Sequence, residues 1–290
     1  MGGRLDSLHI ALQHLLPQHL LSALAYRLTR CRVPLLRNFL IHRFIHSFRV
    51  DMAEARSPDP AAYDSFNDFF TRALRSDARP LCTAANSVVS PVDGQVSQAA
   101  DIHDGRLIQA KGRDYSVAAL LGGAARPDPA RYQGGPFVTL YLSPRDYHRI
   151  HMPVAARLRT AVYVPGALFP VNRVSTERVE NLFARNERLV LEFAGPFGSM
   201  ILCMVGAIFV GSMETVWHGQ VTPAGDRRIR TLEPIHGDVA ADCAGGQEIA
   251  RFNMGSTVIL LFERDVVTWD TSLAPGSTVR MGQAIGRLVA

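Results

Sequence analysis

The chain has 290 residues, a net charge of +5 and four scattered cysteines, Cys31, Cys82, Cys203 and Cys243. That length builds a substantial core, and cysteines without a CxxC pair argue against a zinc knuckle or a disulfide scaffold and leave a reducing compartment as the default. Seven arginines and one aspartate fall in residues 1–50, a net +6, so the other 240 residues sum to about −1 and no nucleic-acid partner is expected.

Ser7 to Tyr26 carries no formal charge over 20 residues, the length of a bilayer span. His9, Gln13, His14, Pro17, Gln18 and His19 make it too polar for one. A basic start followed by a small-residue cleavage site is missing, so no signal peptide is expected. Amphipathic helices fit better. Pro17 suits a first helical turn, and Leu20, Leu24 and Leu28 then share a face, with Leu21 beside them. A second helix is predicted from Pro34, where Leu36, Leu40, Phe44 and Phe48 recur at i+4 spacing beside Ile41 and Ile45. His42, Arg43, His46 and Arg49 lie on its other side, and Arg37 must snorkel. Such helices suit the surface of an anionic membrane, where each basic residue adds roughly 1 kcal/mol. Packing on the protein's own core is the alternative.

Residues 1–50 therefore read as a helical arm, 51–62 as a linker centred on Ser57-Pro58-Asp59-Pro60, and 63–290 as one domain. Ser65 is placed to cap a short helix with Asp68 three residues on and Phe66, Phe69, Phe70, Ala73 and Leu74 as its apolar face. Past Val88 the pattern becomes short strands: 137–142, 189–193, 199–210 and 257–262, with Gly195-Pro196-Phe197-Gly198 as a hairpin loop and 222–230 as a polar loop. The predicted class is α+β, a β-rich catalytic domain carrying an N-terminal amphipathic helical arm.

Three stretches can carry chemistry. Asp93 lies in Ser90-Pro91-Val92-Asp93-Gly94, a turn pair. His148 and His151 lie in Tyr147-His148-Arg149-Ile150-His151-Met152-Pro153. In a strand that spacing points the two rings apart, which favours a general base over a metal site. The third is Met254-Gly255-Ser256-Thr257, ahead of the apolar run Val258 to Phe262. Gly-Ser-Thr-Val occurs at both 255–258 and 276–279, and composition does not choose between them.

Together these stretches resemble the phosphatidylserine decarboxylase family, the pyruvoyl-dependent enzymes of bacteria and mitochondria. The resemblance includes Phe66-Asn67-Asp68-Phe69-Phe70, Ser90 to Gly94, Gln109-Ala110-Lys111-Gly112 and Tyr147 to Pro153. It continues through Tyr163 to Gly166, Leu168 to Asn172, Asn181 to Arg188, Gly211 to Trp217 and Gly255-Ser256-Thr257. The family commonly has Leu where Met254 stands, a swap that keeps volume. Its cleavage site precedes an apolar strand, which favours Ser256 over Ser277.

The resemblance implies self-cleavage between Gly255 and Ser256 by Asp93, His151 and Ser256, with His151 as base and Asp93 orienting its imidazole. Ser256 becomes the covalent pyruvoyl cofactor, and chains 1–255 and 256–290 stay partners. The substrate is phosphatidylserine, decarboxylated to phosphatidylethanolamine through a Schiff base. His148, or His151 again, supplies the proton, with Asp146 and Tyr147 as weaker candidates. The resemblance admits a homodimer. It implies peripheral attachment to an anionic membrane surface, on the cytoplasmic face of a bacterial cell membrane rather than the mitochondrial inner membrane. The rival readings are a metal-dependent hydrolase using His148, His151 and Asp93, and a membrane-surface β scaffold without catalysis.

Overall fold

A computed structural model describes residues 17–123, 127–209, 212–223, 227–233, 241–254 and 257–289. The fold is α+β. Its largest sheet is antiparallel, and Thr257–Phe262 lies at its centre, between Gly198–Val205 and Pro136–Tyr141. The order runs outward through Arg188–Gly195 and Ala156–Val164 on one side and Gly94–Asp101 on the other. Val258, Ile259, Leu260, Leu261 and Phe262 are all fully buried, so an unbroken apolar run here marks a strand covered on both faces. Gly195 pairs with Gly198 across a two-residue hairpin turn, as the sequence predicts.

A smaller sheet joins Gly219–Gln220, Met213–Thr215, Glu248–Phe252 and Arg149–His151 in that order. The chain leaves this sheet at Phe252 and enters the large one at Thr257. Asn253 and Met254 thus begin the corner by which the chain passes from one sheet to the other. Gly255 and Ser256 themselves lie outside the described residues.

The arm contains helices Gln18–Thr29 and Pro34–Phe48. Pro17 stands at the N-cap of the first, and Pro34 opens the second. The first helix is docked by its polar side. Gln18, Ser22 and Thr29 are buried, while Leu20, Leu24 and Leu28 face outward. The Gln18 amide oxygen accepts from Leu168 N at 2.8 Å, and Ser22 Oγ accepts from Phe209 N at 3.2 Å. The second helix buries Ile41 and half-buries Leu40, Phe44 and Ile45 against Tyr63, Phe66, Phe69 and Phe70. It leaves Leu35 86% exposed and Phe39 64% exposed. Phe48, placed by its spacing on the inner face, is exposed as well. The helix ends one residue later, at Arg49 in the left-handed region. Ser65 caps Phe66–Phe70, its Oγ accepting from Asp68 N at 3.1 Å. Past residue 80, helices among the described residues have at most six residues, as in Arg173–Arg178.

Candidate active site

Asp93 and His151 come together through backbone pairing. His151 N donates to Pro91 O at 2.9 Å, and Val89 N donates to Pro153 O at 2.9 Å. This sets the 89–93 turn alongside the strand that ends in His151. Gly94 must be glycine: a Cβ there would stand 2.5 Å from the Tyr141 carbonyl oxygen. The same close approach brings the turn onto Tyr141, whose register partner across the sheet is Thr257.

The Asp93 carboxylate is held by Arg79 rather than by the imidazole. Arg79 Nε donates to both carboxylate oxygens, at 2.8 and 3.0 Å, and Met281 N donates to Oδ1 at 2.9 Å. Arg79 Nη2 also reaches Glu54 Oε2 at 2.7 Å, and Glu54 accepts from Arg280 at 3.3 Å. Burial works against the Arg79 charge, but the hydrogen bonds it donates to Asp93 and Glu54 outweigh it and raise its pKa above the ordinary value.

The imidazole of His151 is oriented by a carbonyl. Its Nδ1 lies 2.8 Å from Gly246 O and its Nε2 3.0 Å from Tyr147 Oη. A carbonyl only accepts, so Nδ1 carries the proton and Nε2 presents the lone pair, to which the phenol donates. The hydrogen bond that holds the ring is thus made by Gly246, while the Asp93 carboxylate is bonded to Arg79 and Met281 N. Burial lowers the His151 pKa below the usual 6.5, with the Gly246 bond and the charges of Glu248 and Asp93 opposing it in part. A base neutral at neutral pH results.

His148 is fully buried, against Phe70 at 4.2 Å between ring centroids. Its Nδ1 donates to Asp146 O at 2.8 Å, and Nε2 has no partner among the described residues. Burial pushes its pKa down to about 3. As it stands the ring is a proton acceptor at Nε2, and it must be charged before it supplies a proton. Asp146 points elsewhere, its Oδ2 accepting from Ser143 N at 2.7 Å.

The corner is pinned on its N-terminal side. Asn253 N donates to Ser212 O at 2.9 Å, its side chain bonds Ser212 Oγ, and Asn67 Nδ2 donates to its Oδ1 at 3.1 Å. Arg30, from the end of the arm's first helix, donates to the same Ser212 hydroxyl at 3.2 Å. Phe252 N donates to His148 O at 3.0 Å, so the histidine stretch lies against the strand that leads into the corner. Ser277 sits differently: it lies in a turn and its hydroxyl donates to Ala274 O at 2.7 Å. Its neighbour Gly276 has φ +93. For a metal the site is poorly arranged, since no three His, Cys, Asp or Glu side chains converge among the described residues.

Arg79, Gly246 and the Met281 amide were not predicted. Arg79 stands in an ordinary polar stretch, Asp77-Ala78-Arg79-Pro80, and the other two act through backbone atoms, which a sequence does not label.

The family model described as phosphatidylserine decarboxylase matches residues 66–287, and a second, described as PSD, matches residues 8–49. The phosphatidylserine decarboxylase proenzyme of Azotobacter vinelandii is 52% identical over 284 residues, covering 97% of this chain and 98% of the relative. That of Nitrosococcus oceani is 50% identical over 277 residues, covering 96% and 90%. That of Shewanella denitrificans is 47% identical over 286 residues, covering 98% and 99%. These relatives are named as enzymes. The chain belongs to the phosphatidylserine decarboxylase family.

Proposed function

We propose that the chain cuts itself between Gly255 and Ser256 and then decarboxylates phosphatidylserine to phosphatidylethanolamine. The observation that carries this reading is the state of His151, a buried neutral imidazole with its basic nitrogen fixed as Nε2. A serine hydroxyl is a weak nucleophile and needs such a base. His151 Nε2 gives up its hydrogen bond from the Tyr147 phenol and takes the Ser256 proton as Oγ attacks the Gly255 carbonyl. The peptide nitrogen leaves with a proton, and an ester joins the two residues. Removal of the Ser256 Cα proton then breaks the ester C–O bond and frees the Gly255 carboxylate. Water replaces the remaining nitrogen, which departs as ammonia. Asp93 steadies the transient imidazolium through space, with Arg79 keeping its carboxylate in place.

A pyruvoyl group formed at position 256 would supply an electrophilic carbonyl and an electron sink for decarboxylation. Two buried polar atoms fit such a group: His148 Nε2, and Oγ1 of Thr257, the next residue, both without partners among the described residues. His148 would hold the proton exchanged there at Nε2. Tyr147 keeps its phenol protonated, because burial raises its pKa.

The arm supports a membrane setting. In its first helix Leu20, Leu24 and Leu28 turn outward while Gln18 and Ser22 dock on the domain, the reverse of a helix that packs on its own core, and the second helix exposes Leu35 and Phe39 beside its packed face. No helix among the described residues is long and apolar enough to cross a membrane. We place the protein peripherally on the cytoplasmic face of the cell membrane, with residues 1–50 as the attaching arm.

The intact mass of the purified protein tests the reading. Two chains are expected, the smaller starting at position 256 with a blocked, pyruvoyl N-terminus. A single uncut chain, or a break before Ser277, sinks it.

A further inference from the structure

Arg72 lines a polar cleft of about 460 Å³ together with Asp93, Ser143 and Tyr147. It is 5% exposed. Its Nη2 donates to Arg145 O at 3.2 Å, while Nε and Nη1 have no partner among the described residues. No carboxylate there forms an ion pair with it, although the same cleft pairs Arg79 with Asp93 and Glu54, and Arg280 with Glu54. Ser143 Oγ, in the turn that receives the Arg72 hydrogen bond, is buried without a partner as well. The guanidinium also lies over the Phe69 ring, 5.4 Å from its centroid, but a buried cation without a carboxylate is costly to keep, and a fixed fork of donors matches an oxyanion. The group is completed by an anion that arrives from outside.

The surroundings say which kind. The segment from Phe66 to Arg72 touches two hollows. Phe66 lines an apolar groove of about 400 Å³ between the two arm helices, which also reaches Met254. Arg72, two residues past the helix end, lines the polar cleft. A ligand that is apolar at one end and anionic at the other matches this pairing. Of the anions on a serine phospholipid, the carboxylate loses its charge as carbon dioxide forms. A cation clamped on it would stabilise the ground state more than the transition state and slow the reaction. The phosphodiester keeps its charge throughout.

We infer that Arg72, with Ser143, binds the phosphodiester of the phospholipid substrate. This inference rests on the decarboxylase reading for its substrate, but not for the binding of phosphate itself. Holding a group that does not change during reaction is uniform binding, so its loss shows in KM rather than kcat.

The experiment uses the full-length protein as Arg72→Gln and Arg72→Lys. Three quantities are read: carbon dioxide release from phosphatidylserine in mixed micelles, competition by glycerophosphoserine and by inorganic phosphate, and the extent of self-cleavage. Arg72→Gln is expected to raise KM by about 10- to 100-fold, the range for losing a charge-assisted hydrogen-bond pair, with the loss absent from kcat. Arg72→Lys should fall between. Glycerophosphoserine should compete in the parent and not in Arg72→Gln. Competition by inorganic phosphate alone would show a free-anion site and overturn the lipid assignment. An unchanged KM, a fall in kcat alone, or failure of both variants to fold and cut would overturn the inference too. Direct titration with glycerophosphoserine separates the two readings. Arg72-dependent binding by a parent protein that releases no carbon dioxide would sink the decarboxylase reading and leave this one standing.

Discussion

Arg79 grips both oxygens of Asp93, so the carboxylate beside the candidate base is already committed to a buried ion pair. Asp93→Asn therefore does two things. It weakens the electrostatic support of His151, and it leaves Arg79 with Glu54 as its remaining charged partner. Breaking a buried pair from one side costs on the order of 3 kcal/mol. Measured by thermal unfolding in a Ser256→Ala background, Asp93→Asn and Arg79→Gln should each lower Tm. The double variant should be less destabilised than the sum of the two. Additive losses would show that the pair is not coupled.

Self-cleavage should be flat across neutral pH and fall only on acidification below about 6.5. The sign follows from burial: it lowers the His151 pKa, so the imidazole stays neutral, and able to accept the serine proton, further into acid than an exposed histidine. His151→Ala should leave the chain uncut over the same time, a loss of roughly 10²- to 10⁴-fold. Timed gels across a pH series read both. A rate still rising above pH 7 contradicts the assignment.

His148 makes a separate acid prediction. Its pKa falls from 6.5 to about 3 in the folded state. The unfolded chain binds the proton first, so the stability due to neutral burial is full above 6.5 and drains as pH drops towards 3. Each pH unit in that window costs up to about 1.4 kcal/mol. Replacing the ring with His148→Gln in the uncut background should flatten the acid slope of Tm, whatever it does to Tm at pH 8. An identical slope would argue against a neutral buried ring.

Gly94→Ala sets a Cβ against a backbone oxygen 2.5 Å away, and backbone cannot rotate aside. The expected cost is about 1–3 kcal/mol, as for other overpacked sites. Because Gly94 follows Asp93 directly, self-cleavage should slow as well. Normal cleavage with an unchanged Tm would mean that the two strands separate there freely.

The arm is tested at its outward side chains. Leu20→Gln, Leu35→Gln and Phe39→Gln together should abolish sedimentation with phosphatidylserine-containing vesicles. Tm should move by less than about 0.5 kcal/mol equivalent per site, because these groups are exposed. Persistent vesicle binding would assign membrane contact to another surface.

Much of this was legible in the chain itself. The run from Val258 to Phe262 announces a buried strand, Ser65 announces a cap, and Pro34 announces a helix start. Periodicity found the arm's helices but not which side faces the domain. Leu20, Leu24 and Leu28 read equally as core or as an outer face until Gln18 and Ser22 are seen to satisfy backbone donors of Leu168 and Phe209. The histidine stretch stood out because imidazole titrates near neutrality. The partner of Asp93 did not, since Arg79 reaches it only after the chain has folded back.

The strand after the cleavage position has one more consequence. Thr257–Phe262 is flanked on both sides within the largest sheet, and its five buried apolar side chains contribute roughly 10 kcal/mol. Cut before Ser256 as proposed, this strand would belong to a separate chain of 35 residues, 256–290, yet it would have nowhere to go while the sheet is intact. The uncut polypeptide folds in a unimolecular reaction. The mature one, if melted, must find its partner again in solution, and its recovery should slow in proportion to dilution. Maturation would thus convert an equilibrium stability into a kinetic one, in a molecule assembled once and not easily reassembled.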